Sequence, residues 1–156
     1  MPIVALLATL IGVIAGLRAM MAPAAVSWAA ALGWLDIGGT SLAFLGYTWT
    51  PWILTAMAAG ELVTDQLAST PSRTVPVQFG ARLVSGALAG AAIGAASDMV
   101  IVGASAGIIG AVIGTLGGRM FRARLASAFR KDLPAALIED AVAIVGAFLI
   151  VWVARA

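Results

Sequence analysis

The chain has no cysteine and no histidine. Disulfides, thiol nucleophiles, thiolate zinc sites and imidazole-ligated metals are thereby excluded. Charge is scarce too: 10% of the 156 residues are Asp, Glu, Lys or Arg, where a soluble domain carries about 25%. What remains for chemistry is a few carboxylates, arginines, hydroxyls and the backbone, and no cofactor is expected. The net charge of +2 is too small to point to nucleic acid.

Apolar residues make up 62% of the chain, and the mean hydropathy is +1.07. The excess runs along the whole length, so a soluble domain with one anchor does not fit. A bundle of spanning helices does. At about 20 residues per span, five or six helices with short loops fill the chain as one integral membrane domain over 1–156. No Lys or Arg precedes the apolar stretch Ile3–Leu17 and no clear cleavage site follows it, so it reads as a retained first span rather than a signal peptide.

The expected helices are Ile3 to about Met21, Pro51–Ser69, Val77–Ala96, Asp98–Gly118 and Pro134–Val153. Pro23 is expected to kink or break the first, with Ala24–Trp34 as a short helical continuation. Leu35–Thr50 reads as a loop. After Gly118 the chain turns basic, at Arg119, Arg122, Arg124, Arg130 and Lys131, with Met120, Phe121, Leu125 and Phe129 between. This amphipathic stretch is expected to lie on anionic headgroups after helix 4.

Five spans set the loops on alternate sides. One side collects Arg73, Arg82 and the Arg119–Lys131 cluster, and the positive-inside rule makes it cytoplasmic, with the N-terminus inside and the C-terminus outside. Trp28, Trp34, Tyr47, Trp49, Trp52 and Trp152 then fall on the outer side. A six-span alternative makes Ala24–Trp34 a true span and inverts the N-terminus.

Glycines recur four apart at Gly12 and Gly16, at Gly86, Gly90 and Gly94, at Gly103 and Gly107, and at Gly110, Gly114 and Gly118. Small residues at this spacing, a glycine zipper, let helix backbones approach closely, within the chain or across a homo-oligomer seam. Ile11–Gly16 also parallels Ile113–Gly118. Each is followed by Arg and then by a Pro-started helix with two acids. An inverted repeat is one reading of this pattern.

Charge inside lipid is costly and marks function by default. Glu61 and Asp65 share a helix face at i, i+4, and Glu139 and Asp140 sit at a similar expected depth, one of the two pointing away. Arg18, in the outer part of helix 1, Arg82 and Arg73 are the countercharges. Expected pairs are Arg18 with Glu61, and Arg82 with Asp65 or Glu139. The acids could instead handle protons or a hard cation, with Thr64 and Ser69 nearby. The turn Thr70–Thr74 around Arg73 reads as a capped turn, with phosphate binding as the alternative.

Three stretches, GLRAMMAP (Gly16–Pro23), GELVTDQLASTPSRT (Gly60–Thr74) and PAALIEDAVAI (Pro134–Ile144), together with Gly117–Arg119, resemble a bacterial family of small integral membrane proteins catalogued as domain of unknown function four-one-two-six. The resemblance runs in order along nearly the whole chain. It implies a protein of the bacterial cytoplasmic membrane and draws attention to the same polar positions. Family members often carry Lys after the helix 2 Asp; here Gln66 follows Asp65, and Ala68 stands where the family pattern has Pro.

The leading functional expectation is a transporter or channel for a small solute or ion, with Glu61, Asp65, Glu139 and Asp140 lining its path. The alternative is a non-transporting structural or lipid-binding protein whose charges are ion pairs. No nucleophile or metal motif suggests an enzyme, apart from a lipid-headgroup activity built on Asp65, Glu139 and Arg73. Expected partners are membrane lipids, a small solute or cation, and further copies of the chain.

Overall fold

The computed structural model describes residues 2–65 and 75–155. Among them are six α-helices and no strand: α1 (Pro2–Leu17), α2 (Met21–Ala31), α3 (Thr50–Thr64), α4 (Pro76–Ala95), α5 (Val100–Phe129) and α6 (Asp132–Ala154). One 3-10 turn, Ala43–Gly46, interrupts the loop between α2 and α3. The end of the expected second helix, the Thr70–Thr74 turn and Arg73 lie outside the described residues.

Three helices, α4, α5 and α6, are long and apolar enough to cross a membrane; α1 and α2 are apolar but shorter. Large aliphatic side chains stand on their outward faces, among them Ile101, Ile109 and Ile113 of α5 and Val145 and Leu149 of α6. Water would oppose such a surface; hydrocarbon matches it.

Glycine organises the centre. A Cβ on Gly107 would come within 2.1 Å of the Gly86 carbonyl oxygen, and one on Gly12 within 2.2 Å of the Gly107 oxygen. The backbones of α4, α5 and α1 therefore touch directly, which only glycine permits. Along these seams Gly86, Gly90 and Gly94 meet Gly107, Gly103 and Met99 in descending order, so α4 and α5 are antiparallel. Gly12 meets Gly107 while Gly16 meets Ala111 and Thr115, so α1 and α5 run the same way.

That direction overturns the inverted repeat. The two Gly-rich segments belong to parallel helices, whereas an inverted pair would cross in opposite senses. It also overturns the simple alternation of five spans. Gly146 of α6 abuts Ile14, and Asp140 meets Arg18, so α6 is antiparallel to α1. At the other end Trp34, just past α2, meets Phe148 edge-to-face and lies under Arg155. Hence α2 runs with α6 and against α1: the chain reverses at Arg18–Met20. The start of α1 and the end of α6 lie at the same end of the bundle, not at opposite ends as the sequence suggested.

The reversal precedes Pro23, which sits in the first turn of α2. There its missing N–H is one that a helix start leaves unpaired in any case, so it does not break the helix. The helix stops cleanly at its other end: Gly33, at φ +73°, follows Leu32, with Trp34 N–H on the Ala29 carbonyl (2.7 Å) and Gly33 N–H on Ala30 (3.1 Å). This is the paired closure that glycine favours.

The basic stretch is likewise not a separate segment after helix 4. Arg119–Phe129 continues α5 without interruption, giving one helix of 30 residues that ends at Arg130 in the left-handed region, φ 54°. Nothing between Gly118 and Phe129 breaks helical hydrogen bonding, and no proline enters before Pro134.

The aromatic residues gather where α2 and α6 end and α3 begins. Trp28 and Trp52 meet edge-to-face at 5.0 Å, and Arg155 lies 4.5 Å from the Trp152 ring. Tyr47 and Trp49 stand exposed beside the start of α3.

Candidate functional site

A reversal between two buried helices leaves carbonyls at the end of one and amides at the start of the next, and each must find a partner. In an unbroken helix the Met20 amide would bond the Gly16 carbonyl. Here both groups are turned outward to charged side chains. The guanidinium of Arg82, in α4, donates through Nη1 to the Gly16 oxygen (2.9 Å) and the Leu17 oxygen (2.8 Å). Thr115 Oγ1, in α5, donates its one hydrogen chiefly to the Ala111 carbonyl of its own helix (2.8 Å) and shares it weakly with the Gly16 oxygen at 3.3 Å. On the other side Glu61, near the end of α3, accepts the Ala19 N–H on Oε1 (2.7 Å) and the Met20 N–H on Oε2 (2.8 Å).

A cation thus closes the C-terminus of α1 and an anion closes the N-terminus of α2. Both signs match the helix dipole. Met20 itself supplies no side-chain cap; Glu61 does that work from 41 residues away.

Arg18 lies in the turn and is fully buried. Its Nε donates to Asp140 Oδ1 at 2.7 Å, and Nη2 lies 2.5 Å from the same oxygen. Nη1 is hydrogen-bonded to Asp65 Oδ2. Glu139 Oε1 stands 4.0 Å from Nε. Asp65 joins the two cations, since the same oxygen lies 3.7 Å from Arg82 Nη2, as does Glu61 Oε1.

Four carboxylates and two guanidiniums from α3, α4, α6 and the reversal thus form one network. The expected members Glu61, Asp65, Glu139, Asp140, Arg18 and Arg82 are all in it. Three details differ from expectation. Arg18 is level with the acids rather than in an outer part of the bundle, because α1 ends at the network. Its partners are Asp65 and Asp140, while Glu61 is held by backbone amides. Neither Glu139 nor Asp140 points away: both are buried, and neighbouring helix positions about 100° apart can flank one guanidinium.

The network has a front and a back. The arginine side chains are 0% and 1% exposed, while Glu61, Asp65 and Asp140 keep 14%, 12% and 10%. Glu61, Asp65 and Asp140 form the accessible edge, and Glu139, 1% exposed, is walled in with the guanidiniums behind them.

The basic residues Arg119, Arg124, Arg130 and Lys131 are exposed and stand apart from this network. Arg122 is half-buried and pairs with Asp132 through Nε (3.0 Å) and Nη2 (2.5 Å). No group of three or more acidic side chains with metal-binding geometry occurs among the described residues.

Two roles escaped sequence reasoning. Thr115 gave no signal at all, since a lone hydroxyl in an apolar helix most often bonds within its own helix, as this one also does to Ala111 (2.8 Å). Glu61 was conspicuous, but its use as a cap on a helix 41 residues away has no local pattern.

The chain matches no family model, no curated protein and no solved structure.

Proposed function

We propose that this is a multi-pass membrane protein that moves protons or a small cation through the carboxylate edge of the Arg18 network. α1 and α2 form a re-entrant hairpin whose tip stops inside the bilayer, α3 descends to the same level, and α4, α5 and α6 cross. Broken helices whose half-helix ends meet at a buried polar site are the recurrent architecture of secondary transporters. The observation that carries the reading is the orientation of the network: Glu61, Asp65 and Asp140 at the accessible edge, Glu139 and the arginines sealed behind.

An α5 of 30 residues is about 45 Å long, against a hydrocarbon core of about 30 Å. Its basic end therefore projects past the core, where Arg119, Arg124, Arg130 and Lys131 meet headgroups. The positive-inside rule makes that side cytoplasmic. Both ends of the chain then lie on the opposite face, in place of the cytoplasmic N-terminus that five alternating spans imply. The resemblance to the bacterial family of unknown function agrees with a cytoplasmic-membrane setting.

Proteoliposomes holding a pH-sensitive dye test the reading. Wild-type protein should carry protons, or a cation in exchange for them, down an imposed gradient. Glu139→Gln, which keeps the shape and removes the charge, should abolish the flux when compared with wild type at equal amounts of folded, reconstituted protein.

A second reading is favoured by the saturation of Glu61, both of whose oxygens are bonded to backbone amides. In it the network only locks the helices together. That reading predicts wild-type flux no greater than in empty liposomes.

A further inference from the structure

Between α2, α3 and α6 lies a groove of about 430 Å³, within the size range of ligand sites, roughly 300–1,000 Å³. Its inner end is formed by Met21, Leu62 and Ile144, one turn from the Arg18 network. Its outer end is formed by Trp34, Phe148 and Val151. Along α2 it spans about 16 Å.

The walls are apolar, and the polar atoms they carry are already used. Trp28 Nε1 donates to Thr55 Oγ1 (2.9 Å), and Thr55 in turn donates to the Pro51 carbonyl (2.7 Å). An occupant gains nothing by being polar here.

The outer end is different. Arg155 closes α6, exposed, its guanidinium 5.6 Å from the Trp34 ring and 4.5 Å from the Trp152 ring. Contact with the ring faces does not use the guanidinium's N–H donors. No carboxylate pairs with it among the described residues. Tryptophans belong at the headgroup level of a bilayer, so the cation stands where a lipid phosphate would be.

From this juxtaposition we infer that the groove is a binding site for an anionic phospholipid, with one acyl chain lying along α2 and the phosphate on Arg155. Charge complementarity selects the headgroup, and the satisfied walls select the hydrocarbon. The site does not depend on whether the acids carry ions.

Native mass spectrometry of the full chain in mild detergent tests this, with phosphatidylglycerol or phosphatidylcholine added. Wild type should retain one phosphatidylglycerol in preference to phosphatidylcholine. Arg155→Gln should weaken phosphatidylglycerol by about tenfold, the loss of one charge-assisted hydrogen bond, and leave phosphatidylcholine unchanged. Arg124→Gln, at the other end of the bundle, should change neither. Ala59→Phe, from an exposed position on the groove wall, should expel both lipids. Should that variant not fold, Ala25→Leu on the facing wall reads the same effect. Equal retention of the two lipids by wild type overturns the inference, as does lipid binding that survives a filled groove. A free fatty acid retained in place of phospholipid also overturns it, as does a dimer that dissociates on Ala59→Phe, which would show a second copy as the occupant.

Discussion

Replacing Glu61 with Gln removes one acceptor and inserts a donor against a donor. Both oxygens of the native carboxylate are in use, on the Ala19 and Met20 amides. The amide side chain keeps one of these bonds and turns its NH2 toward the other N–H. A hydrogen bond to a charged group contributes about 1.5–3 kcal/mol net, and an unsatisfied buried donor costs about 1–3 kcal/mol. Loss of the negative charge at the start of α2 adds about 0.5 kcal/mol. Some of this overlaps, and the side chain is 14% exposed, so the expected destabilisation is about 2–3 kcal/mol. For a chain of this size that lowers the melting temperature by roughly 4–12 °C. Tryptophan fluorescence in detergent reads the transition, since five tryptophans are present and no cysteine offers a thiol for a reactive dye. Glu61→Asp keeps the charge but shortens the reach, and should fall between. A Glu61→Gln protein melting within about 1 °C of wild type would mean that Glu61 does not hold the reversal.

The remaining expectations use the same melting assay. Gly107→Ala sets a methyl against the Gly86 backbone and should cost more than about 3 kcal/mol. Gly117→Ala, in the same helix with nothing within 4 Å of the added carbon, should be neutral or stabilising by up to about 1 kcal/mol. Arg82→Lys offers one nitrogen for the Gly16 and Leu17 carbonyls, both held here by Nη1, but loses the Nη2 that faces Glu61 and Asp65 at 3.7 Å, and should lower the yield of folded protein, with Arg82→Ala worse, by about 3–5 kcal/mol in all. Asp132→Ala breaks a pair whose acid is 62% exposed and should shift stability by less than about 1 kcal/mol.

Much of the architecture is written locally. The ends of α4 and α6 follow from Pro76, the Ser97–Asp98 turn and the apolar run after Pro134, and the structure places them within two residues of expectation. The glycine spacing announced close backbones, because small residues four apart can only form a stripe. The identity of the charged network was legible too, since few charges exist and lipid penalises each one. Direction was not legible. Periodicity says that a helix forms and is silent on which way it runs, so the reversal at Arg18–Met20 was hidden behind the more conspicuous Pro23. The pairing also stayed hidden. Position along a helix gives depth only if the helix crosses, and because α1 turns back, Arg18 lies level with the acids of α3 and α6.

The reversal divides the network by use. A turn inside an apolar bundle exposes groups that lipid cannot satisfy, and three separate helices answer: α3 with Glu61, α4 with Arg82 and α5 with Thr115. Hydrophobic side chains of equal volume could not replace them, because the backbone groups they hold would then be orphaned. For Glu61 and Arg82 the fold alone is sufficient reason to bury charge. Glu139 and Asp140 have no such duty toward the ends of α1 and α2; they come from α6 and face the Arg18 guanidinium. Asp65 binds the same guanidinium from its other side. A test of transport therefore begins at Glu139 and Asp140, whose substitution leaves the bonds at the ends of α1 and α2 in place, whereas substituting Glu61 removes one of those bonds and confounds flux with folding.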